Sequence, residues 1–247
     1  MSSAKSKYLV YTSAGDNANL HYWLKGFDGK ECQRNFDLWV TYYGDEKRGY
    51  KEISDFYNER KGGKFQNLLY IYQNRQTILD NYQAIFVMDD DIIIDTFAIN
   101  RLFEIREQFD LWLLQRAFHP RGKISHPITF MIPDCYMRYT NFVEVGCPLF
   151  RKDKLDMFMK IYDPVLTGWG IDFWYHHVLG EHQRKIAIID AIPCINPHDT
   201  TKGGQREIER LEKTSRSRNN YVKIRKKYRI VEHSHKEFAR IERSPKK

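Results

Sequence analysis

Three adjacent carboxylates, Asp89, Asp90 and Asp91, interrupt an otherwise apolar run, AIFVMDDDIIID, at residues 84–95. At an effective dielectric near 20, two carboxylates ~5 Å apart repel by roughly 3 kcal/mol, so the cluster needs a nearby positive charge. In an extended segment, side chains at i and i+2 point the same way. That puts Asp89 and Asp91 on one face and Asp90 on the other. Two carboxylates at a strand end are the hard-oxygen donors taken by Mg²⁺ or Mn²⁺, and such ions keep positions open for substrate phosphates. The plain alternative is a solvated acidic turn. The apolar strand in front of the cluster favours the metal reading.

Two further groups carry chemistry. In LTGWGIDFWYHHVLG, residues 166–180, Gly168 and Gly170 flank Trp169. They give a backbone that a ligand can approach closely, beside an indole face suited to stacking on a sugar ring. Asp172 follows in the first turn of a helix, where the dipole favours its ionised form. A carboxylate held ionised beside a stacking aromatic suits a base for a hydroxyl. The structural alternative makes Trp169 core and Asp172 a first-turn charge. In CINPHDTTKGG, residues 194–204, His198 and Lys202 would serve together as a metal ligand and a phosphate partner.

These residues need elements to hold them. KYLVYTSAG and FDLWVTYYGD read as strands running into loops, and residues 51–81 read as helical on either side of Gly62 and Gly63. Asp95 reads as the N-cap of TFAINRLFEIREQF, and DLWLLQRA as another strand. Continuous apolar strands alternating with helices predict an α/β fold with a mainly parallel open sheet covered on both faces. Ligands gather at the carboxyl ends of such strands. The loops after Tyr11 and Tyr43 and the cluster at Asp89 therefore belong on one edge.

A chain of 247 residues, 42% hydrophobic and 15% aromatic, suffices for one α/β domain. The net charge of +8 is concentrated late. Residues 206–247 hold 15 Lys or Arg against 6 Asp or Glu, a larger surplus than that of the whole protein. The organisation expected is a catalytic domain over residues 1–205 and a basic, helical C-terminal extension over residues 206–247. Cys32, Cys135, Cys147 and Cys194 are widely spaced, without a zinc pattern, and read as free thiols. The N-terminus lacks a signal-peptide core and no run is long enough to span a bilayer, so a cytoplasmic protein, peripheral to a membrane through its basic end, is expected.

Taken in order, the pieces resemble the GT-A fold glycosyltransferases, with a Rossmann-like nucleotide-binding half, a strand ending in DDD, a downstream GWG.D and a late H...K. NFVEVGCPLFRKDKL, residues 141–155, sharpens the likeness. Together with GWGIDF and INPHDTTKGG it looks like a poorly characterised GT-A-like family of plants and bacteria, and similar viral sugar transferases share the features. The resemblance covers residues 7–205. It implies a transferase moving a sugar from a nucleotide-sugar donor, a UDP-sugar, to a glycan or glycoconjugate hydroxyl, with Mn²⁺ or Mg²⁺ as cofactor.

By position, the resemblance implies that Asp89, Asp91 and His198 bind the metal, with Asp90 nearer the donor ribose or sugar. Lys202 would steady the leaving diphosphate. Thr12, Ser13, Gly15, Asp45 and Lys64 occupy places where such enzymes hold the nucleotide, and Trp169 and Gly170 would meet the sugar. Asp172 would meet the acceptor or act as base. Ile171 stands where many members carry Glu, so Glu144 is the alternative carboxylate. Two other readings remain. One is a Mg²⁺-dependent phosphohydrolase with Asp89 as nucleophile, which Ile93 weakens because those enzymes usually carry Thr or Val there. The other is a basic module binding nucleic acid or anionic lipid; nucleic acid is not the expected partner.

Overall fold

The computed structural model describes residues 6–26, 28–30, 32–198, 210 and 217–243. Its centre is a nine-stranded sheet. In chain order the strands are β1 (Tyr8–Ala14), β2 (Asp37–Tyr42), β3 (Phe56–Glu59), β4 (Ala84–Val87), β5 (Leu113–Phe118), β6 (Cys135–Thr140), β7 (Leu149–Arg151), β8 (Ile186–Cys194) and β9 (Glu237–Glu242). Their spatial order is β3-β2-β1-β4-β7-β5-β8-β6-β9. The pairings make β6 and β7 the two strands that run against the other seven. The mixed but mostly parallel α/β sheet expected from the sequence is therefore present.

The apolar runs explain the layering. Every residue of β1, β2, β4 and β5 is buried, as strands covered on both faces require. One core layer includes Val10, Phe86, Ile99, Leu102 and Phe103. The other includes Leu9, Trp39, Leu68, Ile85, Phe158 and Trp174. The covering helices are α1 (Leu20–Trp23), α2 (Tyr50–Ile53), α3 (Lys64–Leu79), α4 (Thr96–Gln108), α5 (Lys152–Met159), α6 (Ile171–Leu179) and α7 (Ser217–Tyr228). Asp95 caps α4 as expected, its carboxylate accepting from the Ala98 N–H at 2.8 Å. The four cysteines are free. No helix among the described residues is long and apolar enough to cross a membrane.

Two expectations are corrected. Residues 51–81 are not helical throughout, because β3 intervenes and pairs in parallel with β2. Phe56 stacks on Trp39 at 4.9 Å, and the Trp39 indole N–H donates to Asn58 Oδ1 at 2.8 Å. These tertiary contacts overrule the helical look of the charged flanks. The basic segment after residue 205 carries a helix, α7, but also a strand. β9 lies against β6 at the sheet edge, antiparallel from Cys135↔Glu242 to Thr140↔Glu237, with the register shifting near each end of the pairing.

The order β2-β1-β4 sets the site. From β1 the chain goes to one side for β2 and β3, then returns to the other side for β4. The carboxyl ends of β1 and β4 thus flank a topological switch point, where open α/β sheets bind their ligands.

Candidate active site

β4 ends at Val87, and Asp89 to Asp91 follow in a turn. Backbone bonds pin that turn: Asn19 N–H donates to Asp90 O and Asn19 Nδ2 to Asp91 O, both at 2.6 Å, and the Trp23 indole donates to Ile92 O at 2.8 Å. The Gly15 N–H, just past β1, donates to Asp90 Oδ2 at 2.7 Å, and the Tyr43 hydroxyl does so at 3.3 Å. A side chain at Gly15 would run into the Tyr43 ring at 2.8 Å. The two strand ends on either side of the switch point are thereby tied together.

Lys64 brings a positive charge to the cluster, at Asp89. Its Nζ lies 2.7 Å from Asp89 Oδ1 and also donates to Val145 O at 2.7 Å and Gly146 O at 3.1 Å. This brings α3, the end of β4 and the 143–146 loop to one point.

A cleft of about 480 Å³ opens over this point. Ser13, Lys64, Asp89, Asp90, Glu144, Trp169, Gly170 and Asp172 are among the residues that line it. Trp169 is 44% exposed, as a stacking face needs. Gly170 holds φ +91° as the N-cap of α6, a conformation natural to glycine. A Cβ there would lie 2.2 Å from the Tyr221 ring of α7. The same ring meets the Trp169 indole edge-on at 4.9 Å, so α7 supports this wall of the cleft.

Two carboxyls that line the cleft, Glu144 and Asp172, are pushed up by burial. Glu144 is 7% exposed. Burial, then the charges of Asp172 and Asp89, push it up to about 8, so it holds a proton at neutral pH. Its Oε2 is buried and, among the described residues, has no hydrogen-bond partner. Its backbone is rigidly held: Glu144 N–H donates to Gln115 Oε1 at 2.5 Å, Val143 N–H to His176 Nε2 at 2.7 Å, and Tyr175 Oη to Val143 O at 2.5 Å.

Asp172 corrects the sign of an expectation. Burial pushes it up to about 6, outweighing the backbone N–H bonds from Phe173 and Val145 that favour its ionised form. Desolvation wins over the helix terminus. His126, which sequence reading passed over, has Nε2 4.0 Å from Asp172 Oδ2. Burial and the neighbouring His235 push His126 down. A lone histidine in SHP gives no local signal; only the fold brings it to the cleft.

Of the other sequence candidates, Thr12 is buried inside β1 and does not line the cleft. Asp45 is exposed and pairs with Lys61 at 2.7 Å, away from the lining. Asp91 and His198 are not among the lining residues, and His198 is exposed. Lys202 lies outside the described residues.

The donor set suits a hard cation. Asp89 and Asp90 offer carboxylate oxygens at the cleft surface. No group of three His, Cys, Asp or Glu able to hold a metal occurs among the described residues. Mg²⁺ is commonly held by one or two carboxylates with its other positions left open, so Asp89 and Asp90 are the residues that would hold a divalent cation here.

No protein-family model matches the chain, and no curated protein matches its sequence. Solved structures do. The chain is similar to S. aureus TarS at 10% identity and a TM-score of 0.54, with 89% of this chain and 40% of that one covered. For residues 1–349 of TarS the figures are 10%, 0.52, 77% and 60%. For GalNAc-T7 solved with UDP, GalNAc and Mn²⁺ they are 11%, 0.59, 89% and 48%. The chain thus spans between 40% and 60% of the length of these structures. At such identities the likeness shows the fold, which is of the GT-A type. It does not bear on the plant and bacterial family.

Proposed function

We propose that the protein is a glycosyltransferase that moves a sugar from a UDP-sugar to a hydroxyl of a glycan or glycoconjugate. The observation that carries this reading is the cleft at the switch point. The Asp89 carboxylate meets the Lys64 ammonium there, and Asp90, a buried carboxyl and an exposed indole line the same cleft. The GT-A fold and the UDP, GalNAc and Mn²⁺ of one structural neighbour support it. Nothing in the comparisons supports a phosphohydrolase.

In this reading Trp169 stacks on a sugar ring, and ionised Asp172 takes the proton of the acceptor hydroxyl as its oxygen attacks the anomeric carbon. The bond from that carbon to the diphosphate breaks, and its electron pair leaves with the nucleoside diphosphate. Glu144, protonated, offers its O–H to the bound substrate. Lys64 stabilises charge on the departing diphosphate. A divalent cation held by Asp89 and Asp90 would add Lewis-acid stabilisation of that leaving group. The exposed Arg218, Lys223 and Lys226 of α7 suit contact with an anionic membrane surface near the acceptor.

The test is thermal. UDP with Mn²⁺ at ~100 times its Kd should stabilise the folded protein by about 2.7 kcal/mol, and Asp89→Asn should remove most of that shift. A protein whose Tm moves with no nucleoside diphosphate and metal combination is not this enzyme. A hydrolysis screen of nucleotide sugars with Mn²⁺ would then identify the donor.

A further inference from the structure

Lys64 stands in an unusual place for a cation. It is the first residue of α3, directly after the N-cap Gly63, where the helix dipole already presents positive charge. Its side chain is only 10% exposed. The ammonium is surrounded by oxygens: the Asp89 carboxylate at 2.7 Å and the carbonyls of Val145, Gly146 and Val87 at 2.7, 3.1 and 3.5 Å. Asp89 is fixed from behind as well, its N–H donating to Gly146 O at 2.8 Å. Lysine and carboxylate are held by the same loop.

We propose that Lys64 is a built-in counter-ion that keeps Asp89 neutralised and makes divalent-metal binding conditional on the nucleoside diphosphate. The inference rests on the reading that this cleft binds such a nucleotide. A divalent ion arriving alone must share Asp89 with an ammonium already in contact with it, and the two positive charges repel at short range. A diphosphate changes the balance. Its oxygens coordinate the ion, and they also give Lys64 a new anionic partner, for which an ammonium at a helix N-terminus is well suited. Metal and nucleotide therefore help each other bind, and by linkage the help is reciprocal.

The experiment titrates Mn²⁺ against the whole protein, following free Mn²⁺ by electron paramagnetic resonance, without nucleotide and with saturating UDP. Wild type, Lys64→Met and Lys64→Arg are compared, each checked for a cooperative melt. Wild type should bind Mn²⁺ at least about tenfold more tightly with UDP than without. Lys64→Met should bind Mn²⁺ alone at least about tenfold more tightly than wild type, with most of the coupling to UDP gone. Lys64→Arg, which keeps the charge, should bind Mn²⁺ alone as weakly as wild type.

The inference is overturned if folded Lys64→Met binds Mn²⁺ alone no better than wild type. It is equally overturned if wild type, with UDP shown to be bound and the Mn²⁺ taken up by UDP alone subtracted, binds the ion as tightly without UDP as with it, a result that needs no variant to fold. Failure of UDP to bind at all would instead overturn the functional reading. The nucleotide-free comparison of Lys64→Met with wild type still decides the counter-ion inference in that case.

Discussion

Replacing Glu144 by Gln keeps the shape of the side chain and its ability to donate a hydrogen bond while deleting its titration. Burial, together with Asp172 and Asp89, pushes Glu144 up to about 8, whereas a glutamate in an unfolded chain loses its proton near ~4.3. Folding therefore takes up a proton between those values. The stability linked to this group is full below ~4.3 and is lost as pH rises through about 8. Between pH ~5.5 and pH ~9 the linkage relation gives roughly 3 kcal/mol lost by wild type and kept by Glu144→Gln. In a chain of this length 1 kcal/mol shifts Tm by about 2–4 °C. The Tm of Glu144→Gln relative to wild type should thus improve by roughly 6–12 °C across that range. Paired thermal melts by circular dichroism at the two pH values measure this, with chemical denaturation supplying ΔG. If the two proteins lose stability in parallel, Glu144 does not hold its proton in the fold, and its assigned role as a donor to substrate falls with it.

Asp172 is pushed up to about 6 and must be ionised to accept a proton, so transfer should quicken as pH rises through about 6. Asp172→Asn should slow transfer by about 10²–10⁴-fold and leave UDP binding in place; equal loss of both would make the residue structural. Gly170→Ala forces a Cβ into the Tyr221 ring at a backbone φ of +91°, which should cost at least ~2 kcal/mol in urea denaturation. An unchanged unfolding midpoint would show that α7 does not brace the Trp169 wall.

Features set by short stretches of chain are legible in the sequence. The apolar runs of β1, β2 and β4, the Asp95 cap and the glycines around Trp169 are short-range signals, and each is where the pattern placed it. Long-range consequences were not legible. FYNE at residues 56–59 becomes a strand only because Trp39 and Asn58 meet across β2 and β3. His126 lies 46 positions before Asp172 in the sequence and reaches it only through the fold. The proton affinity of Asp172 had the wrong sign because a helix start is visible in sequence and the depth of burial is not. The contact of Lys64 with Asp89 is a further long-range consequence, since carbonyls of the 143–146 loop accept from both the Lys64 ammonium and the Asp89 N–H.

The edge strand β9 has a consequence for the order in which the protein can be made. β6 needs partners from late in the chain, β8 on one side and β9 on the other, and it carries Arg138, whose guanidinium grips the buried Asp190 at 2.9 and 3.0 Å. Chains emerge from the ribosome N-terminus first. Until residue 242 has cleared the tunnel, β6 presents a row of unpaired backbone groups to whatever is nearby, the kind of exposed template that recruits other chains. Pairing across about 100 residues of sequence is also slow. The hazard for this protein is thus concentrated in the seconds before its sheet is sealed.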